Sequence, residues 1–205
     1  MSKLKLNKTF SSLALCLTVA LLLLCMAAVG QEPKQNGHVG KEQSWTANYN
    51  NDQYGYALKI PSGFIGVSPP APWPQHGIEI RLTPNRDAYI VTNAFLSAVD
   101  YPSLDAAVDA ALKDAEQKHG DLQIVSRQAE QLGTLPAIRV VTRYKQAGSG
   151  ISVMNETITA IRKARRPEDG VLYTITLVTA EQRYVNDAKL FTSVVRSWRL
   201  KPLPR

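Results

Sequence analysis

The sequence predicts an α+β domain in which a central antiparallel sheet is flanked by helices. Stretches with apolar side chains at every second position recur in both halves of the chain. Short segments bearing Gly, Pro or Asn separate them, as hairpin connections do. Only two stretches show helical spacing, one mid-chain and one near the C-terminus. Strands, helix, strands, helix in that order make a sheet with helices packed against it.

Each element has its own signature. Tyr54, Tyr56, Leu58 and Ile60 alternate with small or polar residues up to Pro61, the pattern of a half-buried strand. Ser68-Pro-Pro-Ala-Pro-Trp-Pro74 is too proline-rich for a helix or a central strand and reads as a loop. Ile78, Ile80 and Leu82 alternate with Glu79 and Arg81, and Pro84-Asn-Arg-Asp87 turns the chain into an apolar strand from Ala88 to Val99. Ser103 is an N-cap with Asp105 in the first turn, and Leu104, Ala107, Val108, Ala111, Leu112 and Ala115 form a helical stripe closed by Lys118, His119 and Gly120. Leu122–Glu130, Ala137–Lys145, Ile151–Arg162 and Val171–Thr179 read as strands of a meander, with turns at Gln146–Gly150 and Pro167–Gly170. A last helix starts at about Asn186 or Asp187, buries Leu190, Phe191, Val194, Val195 and Trp198, and the domain ends at Leu200 and Pro202.

The first thirty residues differ from the rest. Lys3, Lys5 and Lys8 precede an almost wholly apolar run from Leu13 to Val29, and Ala28-Val29-Gly30 offers small residues before a cut ahead of Gln31. That is the layout of a secretory signal peptide, so residues 1–30 are expected to direct export to the periplasm or the extracellular space. The run is also at the lower limit of a membrane span, which leaves an uncleaved anchor as the alternative. Residues 31–50 are polar and expected to be a flexible tether, with a single domain over 51–203 whose ordered structure starts near Tyr54. Both cysteines, Cys16 and Cys25, fall in the signal, so the mature chain would hold no disulfide and no cysteine-based metal site. Removing the signal takes three of the 24 Lys and Arg and none of the 17 Asp and Glu, leaving a net charge of +4. That charge is uneven: residues 31–119 carry 7 basic and 10 acidic side chains, residues 120–205 carry 14 and 7. Such an asymmetry steers acidic partners.

Three stretches in this order resemble the PsbP-like group, the extrinsic proteins of photosystem II with the Ran-release factor and exported bacterial relatives. They are Tyr54-Gly-Tyr-Ala-Leu-Lys-Ile-Pro-Ser-Gly-Phe64, then Leu132-Gly-Thr-Leu-Pro-Ala-Ile-Arg-Val-Val141, then Val171-Leu-Tyr-Thr-Ile-Thr-Leu-Val-Thr179 with Asp187 and the closing Ser197-Trp-Arg-Leu200. The resemblance implies an α/β/α sandwich around an antiparallel sheet. It also implies a protein that binds or assembles something, since the group is mostly non-enzymatic.

Motifs for phosphate loops, His-Glu-x-x-His zinc sites and Gly-x-Ser-x-Gly nucleophiles are absent, and no cofactor is implied. His38 lies in the tether, which leaves His76 and His119 as bases of the folded domain. His119 is expected to serve the helix C-terminus. His76, three residues before Glu79, could share a ligand with it, which gives the alternative of a small envelope hydrolase or metal-dependent enzyme; a metal needs at least one further ligand. Asp105 and Asp109 stand one turn apart on the polar helix face and read as a solvated pair. Asn155-Glu-Thr157 matches a glycosylation acceptor but lies within a strand.

Two surfaces remain. Trp73, held between Pro72 and Pro74, sits in a stiff loop that offers contact area at low entropic cost. Arg162, Lys163, Arg165 and Arg166 form the densest basic run, at a hairpin end. The expected partner is a protein, an anionic lipid at a membrane surface or a cell-wall polymer, and not a nucleic acid. The leading reading is an exported, non-catalytic binding or assembly module using Trp73, His76 and this basic hairpin. A carrier of a lipid or small apolar ligand is a further alternative.

Overall fold

The computed structural model describes residues 42–68, 76–96, 101–163 and 170–203, all within one unit spanning residues 39–205. Eleven strands are present among them: β1 (Gln43–Trp45), β2 (Asn48–Asn51), β3 (Tyr56–Lys59), β4 (Ile65–Ser68), β5 (Glu79–Arg81), β6 (Tyr89–Leu96), β7 (Gln123–Leu132), β8 (Leu135–Lys145), β9 (Ser152–Arg162), β10 (Val171–Ala180) and β11 (Arg199–Leu200). Two α-helices accompany them, α1 (Leu104–Lys118) and α2 (Tyr184–Ser197). Eight strands form one sheet in the order β1-β4-β5-β6-β10-β9-β8-β7, with every neighbouring pair antiparallel. A second sheet, β11-β3-β2, is smaller.

Strand alternation decides which face each helix covers. In β10 the odd positions Val171, Tyr173, Ile175 and Leu177 are buried, while the even positions between them are only half-buried. The buried row continues through Ile158 and Ala160 of β9 and Ala137 of β8, and α2 packs over it with Phe191, Val194 and Val195. The opposite row of β8, Ile138 and Val140, meets Val108 of α1, with Leu104 and Leu112 packed alongside. The α+β fold expected from the sequence is therefore present, an antiparallel sheet with a helix on each face.

Helix α1 starts as its cap predicts, with the Ser103 hydroxyl accepting from the Ala106 N–H at 3.1 Å. It ends with the His119 N–H bonded to the Ala115 carbonyl at 2.8 Å, and the His119 ring stacks on Tyr144 with centroids 3.9 Å apart. Asp105 and Asp109 do face outwards, but both bind Arg127 of β7, at 2.7 and 2.6 Å.

Three expectations need correction. Ordered structure begins before Tyr54: β1 and β2 lie within the stretch read as a tether, because Tyr49 is fully buried against Trp45 and Tyr56. Ser68, read as the start of the proline-rich loop, is instead the buried last residue of strand β4, whose one glycine in four residues gave no alternation to read. Helix α2 begins at Tyr184, after a 3-10 turn over Glu181–Arg183, and not at Asn186 or Asp187. Asp187 sits inside the first turn, buried, accepting from the Thr179 hydroxyl at 2.6 Å and from the Arg183 guanidinium at 3.1 and 3.2 Å. A carboxylate at a helix N-terminus is favoured by the dipole, and two donors offset its burial.

The turn between β7 and β8 is fixed by Gly133. Its φ is +60°, and a Cβ there would stand 2.9 Å from the Trp198 ring. Gly133→Ala is expected to lower stability by about 1–3 kcal/mol, from left-handed strain plus overpacking. Gly148→Ala, at φ +82° with open space around it, carries the strain alone and should cost roughly 1 kcal/mol. Urea denaturation of the two variants checks the difference.

Candidate functional site

The strand order brings the described residues among those predicted from the sequence, His76, Arg162 and Lys163, to one end of the large sheet. Ala94 of β6 stands opposite Tyr173 of β10, which stands opposite Ala160 of β9. His76 joins the same row, because its carbonyl accepts from the Ala94 N–H at 2.8 Å. Two residues outward along the strands, Leu96 faces Val171, and Val171 faces Arg162. His76, Phe95, Leu96, Arg162 and Lys163 thus lie at a single edge spanning three interstrand steps, or about 14 Å. The connection 69–75, which carries Trp73, leaves after Ser68 and returns at His76. The connection 164–169, which carries Arg165 and Arg166, leaves after Lys163. Trp73, Arg165 and Arg166 themselves lie outside the described residues.

At this end Phe95 and Leu96 are 40% and 56% exposed, unusual for large apolar side chains next to a sheet core. Lys163 is exposed. The Arg162 guanidinium donates to the Lys201 carbonyl at 2.9 Å, which fastens the end of β9 to the chain beyond β11.

His76 is held on several sides. Its Nδ1 lies 2.9 Å from both the Ala94 carbonyl and the Tyr54 hydroxyl. A carbonyl can only accept, so that contact places the proton on Nδ1 and leaves Nε2 of the neutral ring as an acceptor. The ring also packs between Tyr54 and Phe95, with centroids 5.5 and 5.2 Å away. These contacts describe a histidine that anchors the returning loop.

Glu79 and His76 line one cleft of about 280 Å³ with Glu42, Ser68, Arg86 and Asn93. The Glu79 carboxylate is already engaged. Arg86 grips the Glu79 carboxylate through two bonds of 2.9 and 2.7 Å, and Arg81 adds a third at 3.2 Å. Arg86 is the one non-glycine at positive φ (61°) among the described residues, so its ion pair is made from a costly backbone conformation. The sequence showed Arg86 only as part of a turn, and nothing in it signalled this pairing. Among the described residues, no three of His, Cys, Asp and Glu stand together as a metal site requires.

The other buried carboxylates are also engaged. Glu156 of β9 pairs with Arg139 and accepts from the Tyr184 hydroxyl at 2.9 Å. Burial first, then the bond to Glu156, raises the Tyr184 phenol above its ordinary value, so it acts there as a donor. Every buried side-chain N or O atom among the described residues has a partner.

No family model matches the chain, and no curated protein matches it. Solved structures similar to it include a Pseudomonas aeruginosa protein of unknown function, 17% identical over 77% of this chain and 97% of that one, with a TM-score of 0.49. The cyanobacterial PsbP of Synechocystis is 19% identical over 83% of this chain and 98% of its own, with a TM-score of 0.49. LpqN of Mycobacterium tuberculosis, involved in cell envelope biogenesis, is 11% identical over 82% of this chain and 88% of its own, with a TM-score of 0.42. These likenesses concern the path of the chain and assign it no ligand.

The Glu79 cluster makes stability depend on acid. Burial by itself would raise the Glu79 carboxyl, but Arg86 and Arg81 outweigh it and the net shift is downward. A depressed folded value means the contribution is present above the unfolded carboxyl range, near 4.3, and is lost as pH falls through the folded value. Glu79→Gln is therefore expected to destabilise at pH 7 and to cost progressively less on acidification below pH 4. Denaturant midpoints of both proteins across pH 2–7 check this.

Proposed function

We propose that this chain is an exported, non-catalytic binding or assembly module of the cell envelope. Its contact surface is the sheet end where the Trp73 loop and the basic hairpin of Arg162, Lys163, Arg165 and Arg166 emerge. The observation that carries the reading is the register itself: the β5-β6-β10-β9 order sets the anchors of both segments side by side, with Phe95 and Leu96 exposed between them. Apolar side chains beside cations suit contact with a protein surface, an anionic lipid or a cell-wall polymer. Export is supported by the basic start and the apolar run Leu13–Val29. Among the described residues, no helix is long and apolar enough to cross a membrane.

Two observations favour binding over catalysis. The buried carboxylates are saturated by arginines, and His76 packs into the scaffold through its ring and one nitrogen. The small hydrolase or metal enzyme built on His76 and Glu79 lacks a third converging group among the described residues. The carrier reading finds little support, since the described clefts are lined by charged side chains.

The test is photo-crosslinking of the exported protein in its own cells, with the crosslinker at Phe95, at Lys163 or, as a control, at Lys113 on α1. The expected result is one shared adduct from the first two positions, absent from the third and lost in an Arg165→Glu, Arg166→Glu background. His76→Ala should fold normally and keep the adduct. Identical adducts from all three positions would remove the sheet end as the contact surface, and an activity abolished by His76→Ala in a folded protein would restore the enzyme.

A further inference from the structure

The large sheet stops on one side at β7, which runs for ten residues without a proline or a lysine. Eight of those ten residues are exposed. The opposite edge, β1, is only three residues long. Among the described residues β7 pairs with β8 alone. A long open edge of this kind offers a row of backbone donors and acceptors to a further strand. Charged side chains often guard such an edge. Here Arg127 is drawn to Asp105 and Asp109 of α1, and Glu130 to Arg139 of β8, so both are held to their own protomer.

The hairpin turn settles which backbone groups of β7 face out. Leu132 stands opposite Leu135 across the two-residue turn Gly133-Thr134, with Gly133 at positive φ. Such a turn makes its flanking pair hydrogen-bonded, and bonded and non-bonded pairs alternate from there. Pro136, which has no N–H, falls at a non-bonded pair opposite Gln131. Leu132, Glu130, Gln128 and Ser126 therefore turn their N–H and C=O groups towards β8, while Gln131, Ala129 and Arg127 turn theirs outwards. The outward Gln131 N–H is met by the carboxylate of its own neighbour Glu130, at 3.3 Å. A register shift at Val125 ends the regular ladder beyond Ser126.

We propose that β7 is the surface through which two copies of this chain associate, strand against antiparallel strand about a two-fold axis at Ala129. Outward-facing residues must be set against outward-facing residues, so within the regular ladder the axis can lie at Arg127, Gln128, Ala129 or Glu130. At Arg127 or at Glu130 it sets like charges face to face, which opposes pairing. At Gln128 it leaves Gln131 opposite the irregular Val125. At Ala129, Arg127 meets Gln131 of the second copy, Gln131 meets Arg127 of the second copy, and the two Ala129 residues meet each other. Every outward residue of the ladder then exchanges both of its bonds, Glu130 lies beside Gln128 of the second copy, and only a methyl group from each chain stands on the axis. A two-fold interface requires a surface that complements itself. This edge does so in charge and in hydrogen bonding, which selects a second copy over an unrelated strand. The pairing uses none of the residues of the sheet-end surface, and it sends the Lys163 ends of the two sheets in opposite directions.

The experiment is sedimentation equilibrium of the protein purified after export, over a range of concentrations. The expected result is a monomer–dimer equilibrium. Ala129→Arg puts two guanidinium groups on the axis and should raise the dimer dissociation constant roughly tenfold or more. Ala129→Pro removes only an outward N–H and should weaken the dimer in the same direction. Lys59→Glu, exposed on β3, should leave it unchanged, and circular dichroism melting confirms that each variant is folded. Mild oxidation tests the register. Ala129→Cys should form a disulfide between copies, since the Cα atoms of a hydrogen-bonded pair stand about 5.5 Å apart. Arg127→Cys, set four residues along from its copy, should not. A monomer at every concentration overturns the interface, and a dimer indifferent to both Ala129→Arg and Ala129→Pro overturns the edge as its location. Disulfides forming equally at both positions overturn the axis. Ala129→Cys captured by a different protein, with the chain itself monomeric, overturns the second copy as the occupant.

Discussion

The small sheet, helix α2 and the β7–β8 hairpin are held in place by one side chain, Trp198. Its indole stacks on Tyr56 of β3 with centroids 6.1 Å apart and meets Tyr173 of β10 edge-on at 5.3 Å. The Gly133 turn closes on it from the hairpin side. Aromatic pairs of this kind are worth about 0.5–1.5 kcal/mol each beyond the area they bury. Trp198 also ends α2: its N–H bonds the Val195 carbonyl at 3.1 Å while its ψ of 136° turns the chain into an extended path. Strand β11 starts at the next residue and pairs with β3, and that pairing brings the Lys201 carbonyl to the Arg162 guanidinium. An indole deep in the core therefore fixes the end of β9 at Arg162.

Carboxylates in this protein serve as joints between elements. Asp187 ties the start of α2 to the end of β10 through Thr179, Glu156 ties β9 to β8 and to α2 through Arg139 and Tyr184, and Glu79 ties β5 to the Pro84–Asp87 turn through Arg86. Of these pairs Glu156–Arg139 is the most buried; a pair of that kind contributes little net stability over an apolar replacement, yet removing one partner costs about 3–5 kcal/mol. Such joints therefore select one arrangement of the elements more than they strengthen it. They also occupy the groups that acid–base chemistry would need free. A carboxylate held by a guanidinium through two bonds is a poor base, because protonating it gives up the ion pair.

How much of this the sequence showed depended on the length of each pattern. Helix α1 was readable to its ends because a fifteen-residue stripe, a Ser cap and a closing His-Gly agree with one another. The long strands β8, β9 and β10 were readable for the same reason. Strands β1, β2 and β4 were not: β1 and β2 carry one aromatic each among polar residues, and β4 has a glycine among its four, so none shows apolar residues at every second position. Asp187 looked like a helix start because acidic residues favour that place. Its actual role depends on Thr179 and Arg183, whose positions only the fold supplies. Arg86 shows the same limit more sharply, since neither a left-handed backbone nor a grip on Glu79 leaves a mark in Pro-Asn-Arg-Asp. For the candidate site, residue types were legible and their proximity was not.

That proximity is a consequence of where β10 inserts. Strand β6 does not pair with β7, its successor among the strands; β10 enters between β6 and β9. The reason lies in β10 itself, which has Val, Tyr, Ile and Leu at four of its five buried positions, Thr179 being the fifth, and Thr on the other face at its centre. A strand of that composition is most stable with neighbours on both edges. Once it is central, antiparallel pairing forces its first residue, Val171, to the end where β6 stops at Leu96 and β9 stops at Arg162. Lys163 follows at the same end, and His76 stands opposite Ala94 on the far side of β6. The meeting of Leu96, Val171 and Arg162 at one end of the sheet follows from the burial demand of one strand, so any substitution that kept β10 central would keep them together even if every loop residue changed.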